Sequence, residues 1–210
     1  MSNHKLILQD VTKFFGRRLI FQNINKEFFS GNIYGFAGNN GTGKSTLAKI
    51  TAGLLSPNKG KAEHYKQQQP IDYNELYNLI GFVSPELILY DEFTAEENVL
   101  FALQIRGIKP DGKKIDFLFE KFNLFGRRKD TLKKYSSGMK QRVKFIIALI
   151  HNPTLLILDE PTSNLDNKGK EIVYKIIESE AKEKLIIIAS NEKNDLLLCN
   201  NILQLENYKQ

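Results

Sequence analysis

The sequence predicts an α/β fold with a mostly parallel sheet, an N-terminal antiparallel β subdomain and an inserted α-helical subdomain. Three observations lead there. The apolar runs Ile33–Ala37, Leu155–Leu158 and Leu185–Ala189 have strand length, and such continuous runs suit strands buried on both faces. Helical patterns at Lys44–Leu54 and Lys170–Ala181 stand between these strands, and strands alternating with helices imply a parallel sheet. Residues from about 85 to 150 read as mostly helical and separate the two α/β portions.

Each element has its own signal. Leu6–Val11 alternates in part and is rich in branched residues; Gly16-Arg17-Arg18 is a turn, Leu19–Phe28 a second extended stretch, and Ser30-Gly31-Asn32 another turn. In the middle, Ala95–Gln104 has apolar residues at helical spacing with Glu96 and Glu97 in its first turn. Lys114–Phe122 repeats that pattern, and Ser137–Leu149 is a third helix. No internal repeat or low-complexity segment is visible. The expected organisation is one domain over residues 1–210, with the helical subdomain of about 85–150 inserted in its core.

Composition excludes whole classes. A chain of 210 residues with 41% hydrophobic and 26% charged residues is an ordinary globular one, not a fibre or a disordered tail. The net charge of +6 suits an acidic partner, or is a solvated basic face. The basic residues are scattered in small clusters such as Lys113-Lys114 and Arg127–Lys129, and no block is long enough for a nucleic-acid arm. The single cysteine, Cys199, forms no intrachain disulfide and gives no argument for secretion. Met1–Asp10 has no apolar core of signal-peptide length. The longest apolar run, Phe145–Ile150, falls far short of the roughly 20 residues a membrane helix needs. The chain is expected to be soluble, with any membrane-spanning part supplied by other chains.

The chemistry begins at Gly38-Asn39-Asn40-Gly41-Thr42-Gly43-Lys44-Ser45, followed by Thr46, which satisfies the phosphate-loop pattern in full. Glycines let the backbone curl so that several N–H groups point at one anion. The helix that follows presents its N-terminus to the same anion. Lys44 is expected to bridge the β- and γ-phosphates and Ser45 to ligand Mg²⁺. The plain alternative is a glycine-rich turn that merely starts a helix. The position between a strand and a helix favours the functional reading, and makes the core that of a P-loop NTPase.

A second constellation closes the strand Leu155–Leu158 with Asp159 and Glu160. Ligands of open α/β sheets sit beyond the carboxyl ends of strands. Asp159 is placed to hold Mg²⁺, directly or through water, and Glu160 to polarise an attacking water as general base. Solvated acids at strand ends are common, so this pair gains its meaning from the phosphate loop in the same chain.

With these residues in view, the chain resembles the ABC transporter ATPase family. Tyr135-Ser136-Ser137-Gly138-Met139-Lys140-Gln141-Arg142 looks like that family's signature stretch, and Ser163-Asn164-Leu165-Asp166 like its D-loop. Phe15 matches the aromatic that stacks on adenine, and Leu89–Asn98 is similar to the segment that opens the helical subdomain. The likeness spans essentially the whole chain in the family's order. It implies ATP and Mg²⁺ as cofactors and a head-to-tail dimer, formed with a copy of itself or with a second cassette. In that dimer the phosphate loop of one subunit and Ser136, Ser137, Gly138 and Met139 of the other enclose one ATP, with Asp166 at the seam. It also implies docking on integral membrane transporter subunits, peripheral at the cytoplasmic inner face of the cell membrane, with no direct nucleic-acid contact. Export of the ABC-2 kind is the expected direction. The alternative is a soluble ABC ATPase acting on ribosomes or DNA; such relatives usually carry two cassettes or a long insertion, which this sequence lacks. The signature and D-loop stretches argue against a phosphate-loop kinase.

Three positions depart from the family pattern. The signature's first glycine is Ser137, tolerable where its backbone angle is one serine can adopt. The family's Mg²⁺-sensing glutamine is missing from Ser84-Pro85-Glu86-Leu87; either Glu86 substitutes as an oxygen ligand or the loop couples only mechanically. The histidine that faces the γ-phosphate is replaced by Asn191, whose amide donates a hydrogen bond but carries no charge. Slow hydrolysis with near-normal ATP binding is the expectation. His151, before Asn152-Pro153, reads as a helix-ending residue with a structural role.

Overall fold

The computed structural model describes residues 4–209. It contains two sheets. The first is antiparallel, with β1 (His4–Phe15) and β2 (Arg18–Phe29) joined by the Gly16 turn, then β4 (Lys59–Lys66) and β5 (Gln69–Pro70), in the order β2-β1-β4-β5. The second is wholly parallel, in the order β6-β7-β8-β3-β9, built from β3 (Ile33–Ala37), β6 (Ile80–Val83), β7 (Leu155–Asp159), β8 (Leu185–Ala189) and β9 (Asn201–Gln204).

Alternation along the parallel strands splits the core in two. Leu156 and Leu158 of β7 and Ile186 and Ile188 of β8 face one apolar cluster. That cluster also takes in Val99, Phe119, Phe122 and Phe145 from α3 (Ala95–Ile105), α4 (Gly112–Lys121) and its end, and α5 (Ser137–Leu149), together with Val173 of α6 (Asn167–Ala181). Leu155, Ile157, Leu185 and Ile187 face the other cluster, which they share with α1 (Lys44–Thr51) and with Leu6, Phe21 and Phe28 of the antiparallel sheet. Both faces of the sheet are covered, so the strands read as unbroken apolar runs.

The helix starts follow the local chemistry. Thr94 and Glu97 form a reciprocal capping box at α3, Asp111 caps α4, and Ser136 caps α5. The expected β3, α5 and β8 have their predicted bounds; α1 stops at Thr51 rather than Leu54, ahead of Gly53 at φ +72. Three helices, α3 to α5, stand between β6 and β7.

Among the elements the sequence did not signal, three stand out. β4 reads KGKAEHYK, and His64 is its one buried residue; the strand is held by its ladder to β1 rather than by an apolar stripe. The seven-residue α2 (Tyr73–Leu79) buries Leu76 alone. β9 is a four-residue edge strand with only Leu203 buried. Buried His4 and His64 join the sheets: His4 meets His64 at 3.0 Å and Thr154, just before β7, at 2.8 Å. His151 sits in the turn after α5 with Nε2 3.0 Å from the Ile80 carbonyl oxygen, which fits its structural reading.

Candidate functional site

The loop 38–43 leaves the buried end of β3 and turns into α1. Its geometry depends most on Gly43, at φ +106, where an added Cβ would lie 2.4 Å from Ile20 Cγ2. Only glycine satisfies both conditions. Lys44 opens the helix and is 6% exposed; its Nζ donates to the Gly38 and Asn39 carbonyls at 2.9 and 3.4 Å. No side chain caps this helix start, no acid lies in its first turn, and the Thr42 hydroxyl is buried without a partner. An open helix N-terminus and a basic side chain form an anion cradle.

β7 delivers the acids to the same place. Ser45 Oγ donates to Asp159 Oδ1 at 2.9 Å, and Glu160 Oε1 lies 4.0 Å from Lys44 Nζ. Burial pushes the Asp159 carboxyl above its ordinary range, partly offset by the Ser45 hydroxyl. Burial raises Glu160 as well, against the opposing pull of Lys44. Glu160 holds φ +49, a left-handed backbone that non-glycine residues rarely adopt. A cavity of about 370 Å³ is lined by Asn40, Gly41, Gly43, Lys44, Ser45, Thr46 and Glu160, together with Arg18 and Ile20 of β2.

This donor set fits a magnesium–nucleotide. Ser45 Oγ and Asp159 are the hard oxygen ligands Mg²⁺ takes, few in number because phosphates and waters supply the rest. The Thr42 hydroxyl, buried in this loop without a partner, is a polar group such a ligand would satisfy.

Asn191 follows β8, and its Nδ2 donates to Asn40 Oδ1 at 3.1 Å, which brings it onto the phosphate loop. Phe15 ends β1, 52% exposed, paired in register with Arg18 and with Lys13 Nζ 5.2 Å from its ring centroid. Glu86 is drawn to Lys49 of α1, whose Nζ donates to both its carboxyl oxygens at 2.7 and 2.9 Å.

The signature stretch lies elsewhere. Ser136 Oγ accepts from Met139 N at 3.2 Å, and Ser137 is the first residue of α5 with no positive φ, so serine is at ease there. Gly138 is required by packing: a Cβ would stand 2.9 Å from the Asn164 carbonyl oxygen in the D-loop. Asp166 caps α6 through Gly169 N at 2.8 Å. Ser137, Lys140, Gln141, Ser163 and Asn164 line a separate cavity of about 260 Å³. Gln141, buried, ties α5 back to the acid segment by donating to the Pro161 carbonyl at 3.1 Å.

Sequence reasoning missed Arg18, read only as part of a basic turn, and Glu206. The Glu206 carboxyl accepts from Asn39 N at 2.7 Å, and that hydrogen bond holds it below the usual carboxylate range. Arg18 had one usable signal, its place beside the exposed Phe15; Glu206 had none.

Comparison with known proteins agrees with this geometry. Residues 21–163 match the ABC transporter family. A bacitracin transport ATP-binding protein of Bacillus licheniformis is 37% identical over 179 residues, covering 85% of this chain and 58% of that protein. A lantibiotic transport ATP-binding protein of Streptococcus pyogenes is 35% identical over 186 residues, covering 89% and 79%. A dimeric bacterial ABC transporter cassette superposes with a TM-score of 0.80 at 26% identity, covering 95% of this chain and 94% of that one. The chain belongs to the ABC transporter family and carries its ATP-binding domain. Membership implies ATP binding and ATPase activity. The chain spans little more than half the length of the bacitracin relative.

Proposed function

We propose that this chain binds and hydrolyses MgATP at the interface of a head-to-tail dimer, and so drives transport by separate membrane subunits. The observation that carries the proposal is the convergence of Lys44, Ser45, Asp159 and Glu160 on one cradle, with Ser45 and Asp159 2.9 Å apart and Lys44 and Glu160 4.0 Å apart.

Each residue has a task. Lys44 exchanges its loop carbonyls for the β- and γ-phosphates, and the N–H groups of residues 40–46 surround them. Phe15 stacks on adenine. Mg²⁺, held by Ser45 and Asp159, neutralises phosphate charge when bound. Glu160 takes the proton of a water whose oxygen attacks the γ-phosphorus, while the bond to the β–γ bridging oxygen breaks and ADP leaves. A carboxyl raised by burial is a better base than a free one. The amide of Asn191 donates to the γ-phosphate in place of a histidine and leaves turnover slow. Asn191→His is expected to raise kcat severalfold with the ATP affinity kept, and an unchanged kcat would reject this cause of a slow rate.

The distal wall comes from a second copy or a second cassette. Ser136, Ser137 and Gly138 offer one hydroxyl and backbone N–H groups at the start of α5, and they line no part of the phosphate cavity of their own chain. Asp166, besides capping α6, is assigned to the seam. Glu86, held by Lys49, reaches Mg²⁺ only after leaving that lysine, which favours the coupling role of its loop.

The membrane partner is supported by the segment after β6. There Ile88, Tyr90 and Phe93 are 84%, 51% and 40% exposed, and Tyr90, Phe93 and Phe101 form an aromatic cluster. Among the described residues no helix is long and apolar enough to cross a membrane. Docking on membrane subunits would place the chain at the inner face of the membrane. Relatives named for bacitracin and lantibiotic transport favour the transport reading, and the likeness to ABC-2 cassettes favours export. The test is steady-state hydrolysis against protein concentration, with Glu160→Gln as blank. A rate rising faster than linearly and lost in the variant is expected; a rate retained in the variant would overturn the assignment.

A further inference from the structure

Asp195 is a fully buried acid outside the phosphate cavity, on the short helix α7 (Lys193–Leu196). Three hydroxyls converge on its carboxyl group. Thr162 Oγ1 and Tyr174 OH donate to Oδ1 at 2.9 and 2.8 Å, and Ser190 Oγ donates to Oδ2 at 2.7 Å.

The three donors come from three segments. Thr162 lies two residues beyond Glu160, and Ser190 directly precedes Asn191. Tyr174 stands on α6 and lines no part of the phosphate cavity. Ser190 Oγ also accepts from Glu192 N at 3.1 Å, so the hydroxyl beside Asn191 is fixed from both sides. Glu160 itself needs restraint. Its left-handed backbone persists only where the surroundings over-determine it. One restraint is Glu160 N donating to the Ala189 carbonyl at 2.8 Å. Others are Ser163 N donating to the Glu160 carbonyl at 3.2 Å, the Gln141 bond to Pro161, and the Thr162 anchor on Asp195.

We propose that Asp195 is a positioning residue that locks the segment carrying Glu160 to the loop carrying Asn191, holding carboxylate and amide in fixed relation across the γ-phosphate position. The inference rests on the roles given above to Glu160 and Asn191. It explains why each oxygen of a buried carboxyl accepts from a hydroxyl of the segments after β7 and β8 that bear those residues, with Tyr174 sharing Oδ1. A purely structural hub would have no preference among its three donors.

That contrast supplies the test. Thr162→Val, Ser190→Ala and Tyr174→Phe each remove one hydrogen bond to the same group. The first two are expected to lower kcat about tenfold with KM for ATP within about twofold, since small displacements of catalytic groups are costly. Tyr174→Phe is expected to lower the melting temperature similarly but keep kcat within about twofold. Hydrogen exchange of the three variants and wild type gives a readout independent of turnover. Thr162→Val should raise exchange at residues 190–192 as well as at 160–163, whereas Tyr174→Phe should not. Equal kcat losses in all three, or exchange confined to the mutated segment, would overturn the role of Asp195. Glu160→Gln, assayed alongside, separates the two levels: turnover surviving there would overturn the site assignment itself, whatever the hydroxyl variants do.

Discussion

Two helices of this chain begin at glycine-bearing turns that suit an anion, and they begin differently. α1 starts from Gly43 in a left-handed conformation with no side-chain cap, and gathers Lys44, Ser45, Asp159 and Glu160 around its open end. α5 starts from Ser136 in an extended conformation that caps its own third residue, and its nearest lysine, Lys140, is spent on Asp91 at 2.6 Å. Neither has an acid in its first turn. The first already carries charge and the oxygen ligands that the proposed Mg²⁺ would take. The second offers only hydroxyl and N–H groups, and on the proposed reading contributes to catalysis only when set against a phosphate held by another subunit.

The largest expected effect breaks the first side. Glu160→Gln should lower kcat by about 100-fold to 10,000-fold, the range for a lost general base, while ATP still binds. A calorimetric titration showing binding lost in parallel would contradict the division of labour. Lys44→Ala should act on binding instead. Losing charged hydrogen bonds worth about 1.5–3 kcal/mol should weaken ATP by about tenfold to 100-fold. Next comes the second side. Ser136→Ala should leave the ATP affinity of the isolated chain unchanged, cost about 1 kcal/mol of stability through the lost cap, and lower turnover severalfold. Weakened binding in the monomer would place Ser136 in the cavity of its own chain.

The smallest effect is one of pH. Protonated Glu160 cannot accept a proton, so the rate should rise with pH through its folded-state pKa. Because burial raises that pKa, the acid limb of kcat should lie above the ordinary glutamate range of about 4.3. A limb at or below that range would remove the burial argument from the mechanism.

The two sides were legible in the sequence to different degrees. The phosphate loop announces itself because backbone curvature, cation and metal ligand must follow one another without interruption, and the acids because an all-apolar strand must end where they begin. The signature helix was legible as a capped helix, and its part in a site came only from resemblance. Contacts between distant segments left no trace. Glu206 reaches Asn39 across 167 residues, and Thr162 and Ser190 meet at Asp195 only because β7 and β8 are neighbours in the sheet. β4 and α2 were missed for another reason. Each buries a single residue, so hydrophobic periodicity had nothing to report.

The central claim, that one copy supplies the equipped site and another completes it, is tested most directly by mixing two inactive variants. Lys44→Ala disables the phosphate loop, and Ser136→Glu sets a negative charge where the signature would meet phosphate. In a mixed head-to-tail dimer one site keeps an intact loop facing an intact signature. The account predicts that the mixture hydrolyses ATP well above the sum of the two variants alone. A mixture no more active than that sum, under conditions where wild type alone is active, would contradict it.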